Sequence, residues 1–325
     1  MRNLTVSLCL SLCACSTTGA AQNAPYVLQP GHMDLEIGPD GNTVIFDAPD
    51  GLVVVDSGRH AAHAQAILDH AETITGKPVA TLVNSHWHLD HTTGNRDILA
   101  RFPQAGLVAT GAMEAALAGF LARSRTAAVE RLADPTLPAD ARARTQRTLA
   151  ALDDRAAMVP ANPVLADGPL ELGGRTFIVH VAPAAATEAD LWLIAPDEGL
   201  AVVGDLVVAQ VPFFDTGCED GWRRALDAIA AEQWTTLVPG HGEPMTRADF
   251  TRWRSAFDSW LDCAAGKAEA SGCAEGWMAN AAGFYAEDER ENVRYLAEAY
   301  VAEVLRASAD QRMAYCVTAA AADPA

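Results

Sequence analysis

Short apolar runs separated by turn residues mark the first part of the chain. Pro-Asp-Gly occurs at 39–41 and again at 49–51, and the apolar stretches beside these turns predict a β-meander. Its strands are predicted at 35–37, 44–46 and 52–55. The segment 60–75 then places its apolar residues on one helical face, and the apolar run 79–83 predicts a strand buried on both faces. The segment 84–91 follows this strand and is predicted to form a loop at its end.

A second set of strands and helices follows a helical stretch in the middle of the chain. The segment 112–157 is rich in Ala and Arg and is broken at Pro135 and Pro138, which predicts a helical insertion. Strands are predicted at 170–172, 176–181, 191–194, 200–208 and 236–238, with a helix at 222–231 before the last of them. Because the order strands, helix, strand, helix appears twice, we predict two sheets packed face to face with helices outside.

The C-terminal part of the chain is predicted to be helical. Thr246 is followed three residues later by Asp249, which is a helix-capping pattern, and aromatic residues then recur at helical spacing. A last helix is predicted at 287–305. We therefore divide the chain into an α/β domain over 25–245 and a C-terminal helical extension over 246–325.

The charge balance of the 325 residues limits the expected partners. The chain has 42 acidic and 23 basic residues and a formal net charge of −19, and such a field repels phosphate backbones and anionic membrane surfaces. Nucleic acid is therefore not expected as a partner, and a small-molecule substrate is favoured. Hydrophobic residues make up 50% of the chain, which is enough for a sizeable core.

The first 21 residues have the pattern of an export signal. Arg2 is followed by an apolar run over 4–15 that is too short to span a bilayer. Small residues favour cleavage before Gln22, whereas Leu12-Cys13-Ala14-Cys15 resembles a lipobox that would leave Cys15 lipidated after removal of 1–14. We favour the lipobox. The protein is thus expected in the bacterial periplasm, with the outer membrane contacted only through a lipid anchor at Cys15.

Four cysteines remain once those of the signal are removed, namely Cys218, Cys263, Cys273 and Cys316. An even number in an exported protein predicts two disulfides, and four cysteines allow three pairings. We favour Cys263 with Cys273, which closes the shortest loop, and hence Cys218 with Cys316. None of the four has the two-residue spacing of a zinc-binding cysteine pair.

The densest set of candidate metal ligands follows the predicted strand 79–83. His86, His88, Asp90 and His91 fall within six residues, and imidazole nitrogen with carboxylate oxygen is a donor set that zinc accepts. In an extended stretch, residues 86 and 88 point the same way, whereas a turn sends residues 90 and 91 elsewhere. One loop can therefore serve two adjacent ions.

The motif His86-x-His88-x-Asp90-His91 resembles the signature of the metallo-β-lactamase superfamily, which includes β-lactamases, glyoxalase II and lactonases. Three further segments follow in the family's order: one ends in Asp56, one ends in Asp205 and one contains His241. The resemblance covers nearly the whole mature chain. It implies a four-layer αββα sandwich with the metals at the edge between the sheets.

Carried over residue by residue, the resemblance implies two metal positions and one or two zinc ions per chain. His86 and His88 would belong to the first position, Asp90, His91 and His241 to the second, and Asp205 would reach both. The family has a third histidine for the first position before Thr187, where this chain has Ala186. Ala186 cannot bind zinc, so we expect a filled second position and a weaker first one. Water or the nearby Glu188 could take the vacant place, in the stretch Ala186-Thr187-Glu188-Ala189-Asp190.

Residues around these motifs have other predicted roles. Asp56 is a candidate for orienting a histidine ligand from behind, and a turn-capping role is the alternative. Trp87, Phe213 and Phe214 are candidates for apolar walls of the pocket, with a core position as the alternative. The histidines outside the motifs are assigned to a solvated helix face (His60, His63, His70), to a structural position on a strand (His180) and to a loop (His32).

The resemblance implies hydrolysis of an amide, ester, lactone or thioester. Water on the metal would lose a proton and attack a carbonyl, the ion would steady the oxyanion, and Asp90 would manage the proton. Export favours a periplasmic substrate, for which a β-lactam-like ring is one candidate. Two alternatives stay open: a non-catalytic metal-binding accessory protein, because Ala186 weakens the first position, and a redox or oxygen-handling protein with iron in the same ligands.

Overall fold

Two β-sheets form the centre of the protein in a computed structural model that describes residues 26–33, 38–308 and 311–316. The first sheet contains β1 (Tyr26–Gln29), β2 (Thr43–Ala48), β3 (Gly51–Val55), β4 (Val79–Val83) and β5 (Gly106–Val108), in that order. Pairing is antiparallel from β1 to β3 and parallel from β3 to β5. The strand predicted at 35–37 and the predicted signal segment lie outside the described residues.

Helices cover the outer face of the first sheet and connect its parallel strands. The connecting elements are α1 (Ala61–Asp69) with a π-helical continuation (His70–Thr75), α2 (Leu89–Thr92) and α3 (Asn95–Arg101). Ile67 of α1 and Ile98 of α3 pack against Ile45, Val54 and Leu82 of the sheet. This packing is the reason for the apolar helical face in 60–75.

A helical insertion joins the two sheets, at the place where the sequence predicts one over 112–157. It consists of α4 (Ala112–Ala118), α5 (Phe120–Leu132), α6 (Ala139–Asp153) and α7 (Arg155–Met158). Met113, Leu121 and Met158 form a small apolar cluster with Trp87, which lies between two of the predicted ligands. The insertion is therefore anchored beside the ligand loop.

The second sheet has six strands in the order β11-β10-β9-β8-β7-β6. They are β6 (Gly168–Leu172), β7 (Arg175–Pro183), β8 (Ala189–Ala195), β9 (Leu200–Val202), β10 (Thr236–Val238) and β11 (Met245–Thr246). The strand predicted over 200–208 is wrong beyond Val202. Gly204 has a φ of 52°, in the left-handed region that ends a strand, and the chain continues as a 3₁₀ turn (Gly204–Leu206).

The core lies between the sheets, and a second helical layer covers the far side. Phe46, Val53 and Val83 of the first sheet pack with Phe177 and Leu193 of the second. The outer helices are α8 (Glu219–Ala231), α9 (Arg247–Ala265), α10 (Ala270–Asn280) and α11 (Arg290–Ala299) with a π-helical continuation (Tyr300–Leu305). The predicted four-layer αββα sandwich is confirmed. Within the described residues, every helix is too short or too polar to cross a membrane.

Local features of the C-terminal helices agree with the sequence. Thr246 and Asp249 form a reciprocal capping box at the start of α9, as predicted. The two disulfides are Cys263–Cys273, which joins α9 to α10, and Cys218–Cys316, whose cysteines are 98 residues apart. The favoured pairing is therefore confirmed.

Candidate metal centre

The six predicted ligands come together at one end of the interface between the sheets. His86 and His88 follow β4, Asp90 and His91 lie in α2, Asp205 lies in the 3₁₀ turn after β9, and His241 follows β10. All six side chains are buried. Glycines allow this close packing: a Cβ on Gly240 would lie 2.0 Å from Asp205 Oδ1, and a Cβ on Gly41 would lie 2.2 Å from His91 Cε1.

Four of these residues form one compact group, Asp90, His91, Asp205 and His241. His241 Nε2 lies 3.1 Å from Asp90 Oδ2 and 3.4 Å from Asp205 Oδ1. His91 Nε2 lies 3.1 Å from Asp205 Oδ1, 3.4 Å from His241 Nε2 and 3.8 Å from Asp90 Oδ2. A tetrahedral zinc with bonds of about 2.1 Å separates its ligand atoms by about 3.4 Å. The spacing of this group therefore fits a tetrahedral metal ion.

A second group contains His86, His88 and again Asp205. His86 Nε2 lies 2.8 Å from His88 Nδ1, and these atoms lie 3.6 Å and 3.9 Å from Asp205 Oδ2. The carboxylate of Asp205 thus turns Oδ2 to this group and Oδ1 to the four-residue group. Three protein ligands leave a coordination place open, as in catalytic zinc sites, whereas four close a site.

Asp56 orients two of the histidines from behind. Its Oδ2 accepts hydrogen bonds from His91 Nδ1 at 2.8 Å and from Ser85 Oγ at 2.7 Å. Because the hydroxyl proton of Ser85 is used in this bond, Ser85 Oγ accepts from His86 Nδ1 at 3.0 Å. The outer nitrogens of His91 and His86 are therefore protonated, and their inner Nε2 atoms face the centre. This geometry supports the orienting role predicted for Asp56.

Thr216 orients the third histidine in the same way. Its buried hydroxyl donates to Ala186 O at 2.9 Å and accepts from His88 Nε2 at 3.0 Å. The Nδ1 atom of His88 is thereby left as the inner atom with a free lone pair. Tyr315 holds the loop from outside, because its hydroxyl donates to Thr216 O at 2.7 Å.

The inner atoms of the centre lack protein partners that would satisfy them. Asp205 Oδ1 is buried and accepts no hydrogen bond from the part of the chain that the structure describes. The lone pairs of His86 Nε2 and His88 Nδ1 face each other across 2.8 Å. Buried acceptors in such contact are unfavourable unless a cation or added protons separate them. The donor set therefore fits a divalent metal ion.

The electrostatics of the four-residue group also favour positive charge. Burial alone lowers the pKa of His91, but the carboxylates of Asp205, Asp56 and Asp90 outweigh it and raise that pKa well above its usual range. Burial is likewise outweighed at His241, whose pKa is raised by Asp205 and Asp90. In the reverse sense, the pKa of Asp205 is held well below its usual range, because His91 and His241 outweigh the effect of burial. Protons and a metal ion would therefore compete for the same atoms.

Ala186 stands where the resemblance implies a third histidine for the first position. Its side chain is buried, and Glu188 belongs to neither ligand group among the described residues. Asp190 is buried next to this stretch and accepts from Thr187 N and Thr187 Oγ1, both at 2.9 Å. Burial raises the pKa of Asp190 to about 7, and the nearby Asp205 carboxylate adds to the shift. The stretch is thus internally bonded and gives no replacement ligand.

The structure selects the core alternative for Phe214 and shows that the assignment of His63 to a solvated face is wrong. Phe214 does not wall the pocket; its ring lies in the C-terminal core, 4.9 Å from Trp222 and 6.0 Å from Phe257 between ring centroids. His63 is not on a solvated face; it is buried and lies 2.8 Å from Thr43 Oγ1. The chain segment around Thr43 covers that side of α1, which the helical pattern of α1 alone does not reveal.

The other assigned side chains occupy the following places. Trp87 and Phe213 flank His88, with ring centroids 4.7 Å and 5.2 Å from its ring. His180 stacks on Trp192 at 4.0 Å, on a strand of the second sheet. His60 is half-buried and bonds Asp40 Oδ2 at 2.9 Å, His70 is half-buried, and His32 is exposed in irregular structure.

Sequence reasoning did not find several residues that shape the centre, namely Ser85, Thr216, Tyr315 and Arg59. Ser85 had a usable signal, because it directly precedes the first histidine of the motif. Thr216 and Tyr315 had none, because each contact joins positions about a hundred residues apart or more. Arg59 lies 3.7 Å from Asp90 Oδ1 and follows the strand that ends near Asp56.

The fold and the two ligand groups define a two-sheet α/β protein with a candidate metal-binding site. The sequence profile of the metallo-beta-lactamase superfamily matches residues 38–269, which is more than half of the chain. This protein therefore belongs to the metallo-beta-lactamase superfamily, as its motifs imply. Members of that superfamily are mostly hydrolases, and the proteins similar to this chain include sulfatases and β-lactamases.

Solved structures with the same fold come from several bacteria. The stereoselective inverting sec-alkylsulfatase Pisa1 from Pseudomonas sp. has a TM-score of 0.56 and 17% identity, over 88% of this chain and 49% of that one. A metallo-beta-lactamase family protein from Thermus thermophilus has a TM-score of 0.54 and 16% identity, over 84% of this chain and 91% of that one. At these identities the likeness shows the fold.

A curated relative matches a short part of the sequence. A linear primary-alkylsulfatase from Pseudomonas sp. (strain ATCC 19151) is 34% identical over 50 residues, which are 15% of this chain and 10% of that protein. This chain therefore spans about a tenth of the curated alkylsulfatase and about half of the Pisa1 structure.

Proposed function

We propose that this protein is a zinc-dependent hydrolase that acts on an amide, ester, lactone or thioester of a small molecule. The observation that carries the proposal is the position of Asp205. Its two carboxylate oxygens are divided between two ligand groups, and Oδ1 is buried without a hydrogen bond among the described residues. When bound, zinc acts as a Lewis acid towards a carbonyl and lowers the pKa of coordinated water.

The two ligand groups would hold zinc unequally. The four-residue group around His241 offers a closed set of ligands, whereas His86 and His88 with Asp205 leave one place open. We therefore assign the tighter ion to the four-residue group. The open place beside His88 would face the substrate, with Trp87 and Phe213 as its apolar walls.

Asp90 is the residue that we assign to proton transfer. Its Oδ2 faces His241 Nε2 at 3.1 Å, and its Oδ1 lies on the side of Arg59 Nη2, 3.7 Å away. The pKa of Asp90 is held below its usual range because His91 and His241 outweigh the effect of burial. The lowered pKa means that Asp90 would be ionised at neutral pH. We assign proton transfer to Asp90 from its position in the centre: its Oδ1 could accept a hydrogen bond from the attacking water and pass the proton to the leaving group.

Export to the periplasm is part of the same proposal. Two disulfides link the cysteines that remain after the signal segment, and disulfides persist in oxidising compartments. A periplasmic substrate would reach the open place beside His88 without passing the inner membrane. Fractionation of cells, with the protein detected in the periplasmic or outer-membrane fraction, tests this part; recovery in the cytosolic fraction contradicts it.

Ala186 supports a second candidate function, a metal-binding accessory protein without hydrolytic activity. The first metal position lacks the imidazole that a histidine at position 186 would supply. The Ala186 carbonyl instead accepts a hydrogen bond from Thr216 Oγ1. Such a protein would keep zinc in the four-residue group and turn over no substrate. The six remaining ligands and their outer hydrogen bonds favour the hydrolase.

Metal content and hydrolysis measured together separate the two functions. Zinc and iron per chain are determined by mass spectrometry for the wild type, for Ala186→His and for Asp90→Ala combined with His241→Ala, with His180→Gln as the control. A lactam, a lactone, an ester and a thioester are the substrates. The hydrolase predicts zinc and activity in the wild type and the control, and loss of both in the double variant. Zinc without hydrolysis in the wild type, with activity gained by Ala186→His, would establish the accessory function instead.

A further inference from the structure

A pocket lined by basic side chains lies where the helical insertion meets the start of α1. Its volume is about 370 Å³, and α5 and α6 form two of its walls. The ionisable residues that line it are Arg59, His60, Arg131, Arg144 and Arg147. None of the described residues that line it is acidic, although the chain has 42 acidic and only 23 basic residues. We call this cavity the arginine pocket.

Several N–H donors of the arginine pocket have no acceptor in the protein. Arg59 Nε and Arg147 Nη2 are buried, and neither has a hydrogen-bond partner within the described residues. Arg131 is exposed on α5 and forms no ion pair with the part of the chain that the structure describes. Arg144 pairs with Asp140 one helical turn away, an exposed pair of the kind that contributes little. Arg131 and Arg144 thus offer accessible guanidinium donors to a ligand, and Arg59 and Arg147 add buried positive charge behind them.

Within the described residues, each basic residue of the pocket except Arg131 has one acidic neighbour. Arg147 pairs with Asp97 of α3, and His60 pairs with Asp40 at 2.9 Å. These two contacts fix the side chains of Arg147 and His60, and Arg59 and Arg144 have Asp90 and Asp140 as their acidic neighbours. A guanidinium presents a planar fork of donors that matches a carboxylate, a sulfate or a phosphate.

Arg59 connects the arginine pocket to the metal centre. It lines the pocket, and its Nη2 lies 3.7 Å from Asp90 Oδ1. Arg147 lines the pocket from α6, and its Nε donates to the carbonyl of Arg59 at 3.0 Å. This bond joins the α6 wall of the pocket to the residue next to Asp90. Arg59 is therefore the residue that the pocket and the surroundings of Asp90 share.

The overall charge of the chain makes such a local pocket selective. A net charge of −19 repels anions from most of the surface, and a concave patch of one sign focuses the field at its opening. An anion therefore gains most by binding where arginines are concentrated. A neutral ligand gains nothing from this arrangement.

We propose that the arginine pocket binds an anionic group (a carboxylate, a sulfate or a phosphate) of the substrate whose carbonyl reacts at the metal centre. The reacting end of this inference rests on the proposed hydrolase function. Anion binding itself requires no metal, so the two parts can be tested separately.

Inorganic sulfate is the probe for the first part. Its binding to the full chain, treated with a chelator, is measured by calorimetry at low ionic strength. Arg131→Gln combined with Arg144→Gln should weaken sulfate binding by about ten-fold or more, because two charge-assisted interactions are lost. The control is Arg125→Gln with Arg155→Gln, two insertion arginines outside the pocket that pair with Asp153 and Glu114. The control should bind sulfate within about two-fold of the wild type, since only long-range charge changes.

A pair of esters tests the second part with the zinc-loaded protein. Para-nitrophenyl acetate is neutral, and para-nitrophenyl hemiglutarate carries a carboxylate at the far end of the same reacting group. The wild type and the control should prefer the hemiglutarate in kcat/KM, and the Arg131 and Arg144 double variant should lower that preference by about ten-fold. Sulfate binding that is equal in all three proteins, or an unchanged ester preference in proteins that hydrolyse both, overturns the proposal. If sulfate binding is lost only in the pocket variant while no protein hydrolyses either ester, the anion site stands and the hydrolase function fails.

Discussion

Asp56→Asn tests how strongly the residues behind the ligands set the metal affinity. Asp56 is buried and accepts from Ser85 N at 2.8 Å, from Ser85 Oγ at 2.7 Å and from His91 Nδ1 at 2.8 Å. Its φ is 63°, in the left-handed region that asparagine adopts more readily than most residues. The substitution therefore removes one charge and keeps both the side-chain volume and the backbone conformation.

The expected effect follows from the hydrogen-bond directions. An amide has one oxygen, so it cannot accept from Ser85 N on one side and from Ser85 Oγ and His91 Nδ1 on the other, as the two oxygens of the carboxylate do. If the amide nitrogen faces His91 Nδ1, the imidazole proton moves to Nε2, which is the atom that faces Asp205 at 3.1 Å. Loss of such an outer partner typically lowers metal affinity about 10–100-fold, which is about 1.4–2.7 kcal/mol. We expect the upper part of that range, because His86 depends on the same carboxylate through Ser85.

Competition with a chromophoric chelator measures the zinc affinity, and circular dichroism verifies the fold. Asp167→Asn is the matched control, because Asp167 Oδ2 bonds His180 Nδ1 at 3.0 Å on the second sheet. This variant breaks the same kind of aspartate–histidine bond outside the ligand groups, and its zinc affinity should equal that of the wild type. The reasoning is refuted if Asp56→Asn, with its fold intact, also binds zinc as tightly as the wild type.

Three further predictions concern Thr216, Asp190 and the Cys218–Cys316 disulfide. Thr216→Val removes the hydroxyl that accepts from His88 Nε2 and should weaken the second zinc equivalent about ten-fold in the same competition assay. For Asp190, whose pKa in the fold is about 7 against 3.8 in the unfolded chain, the zinc-free protein should lose about 4 kcal/mol of stability as pH rises through that interval. Asp190→Asn should abolish this loss, as measured by urea unfolding in chelator. Cys218→Ser with Cys316→Ser opens a cross-link between residues 98 apart and should lower the free energy of unfolding by about 2–5 kcal/mol.

Each of these predictions has its own control. Thr216→Ser keeps the hydroxyl and should bind zinc as the wild type does; equal losses in the serine and valine variants would contradict the orienting role. An unchanged pH dependence in Asp190→Asn would assign the loss of stability to other groups. The Cys263–Cys273 bridge spans only 10 residues, so its removal should destabilise less than removal of the long bridge. If removal of the short bridge destabilised the protein more than removal of the long one, chain entropy in the unfolded state would be excluded as the main cause of the stabilisation.

The ligands of the centre were predictable to different degrees. His86, His88, Asp90 and His91 stand within six residues, so one strand end brings them together in any fold that buries β4. Asp205 and His241 come from other strands, and only the resemblance to a known family related them to the motif. Their hydrogen-bonding neighbours were not predictable, because a threonine such as Thr216 carries no local pattern that distinguishes it.

The same contrast holds for the secondary structure. Strands β3 and β4 have apolar runs of five residues, long enough for the pattern to stand out. Strands β5 and β11 have three and two residues, too few for any period to be read, and both were missed. The error at His63 has a related cause, because helical periodicity describes one element and cannot include what packs on it from elsewhere.

Tyr315 and Cys316 hold the loop around Thr216, and this contact has a consequence for the order in which the parts of the site are synthesised. Tyr315 bonds the Thr216 carbonyl, and Cys316 bonds Cys218, two residues further along the same loop. During synthesis the motif around His86 emerges more than two hundred residues before these anchors. The site around His88 thus reaches its final form only after Cys316 has been translated and oxidised. We expect metal binding at this site to be coupled in this way to the maturation of the whole polypeptide.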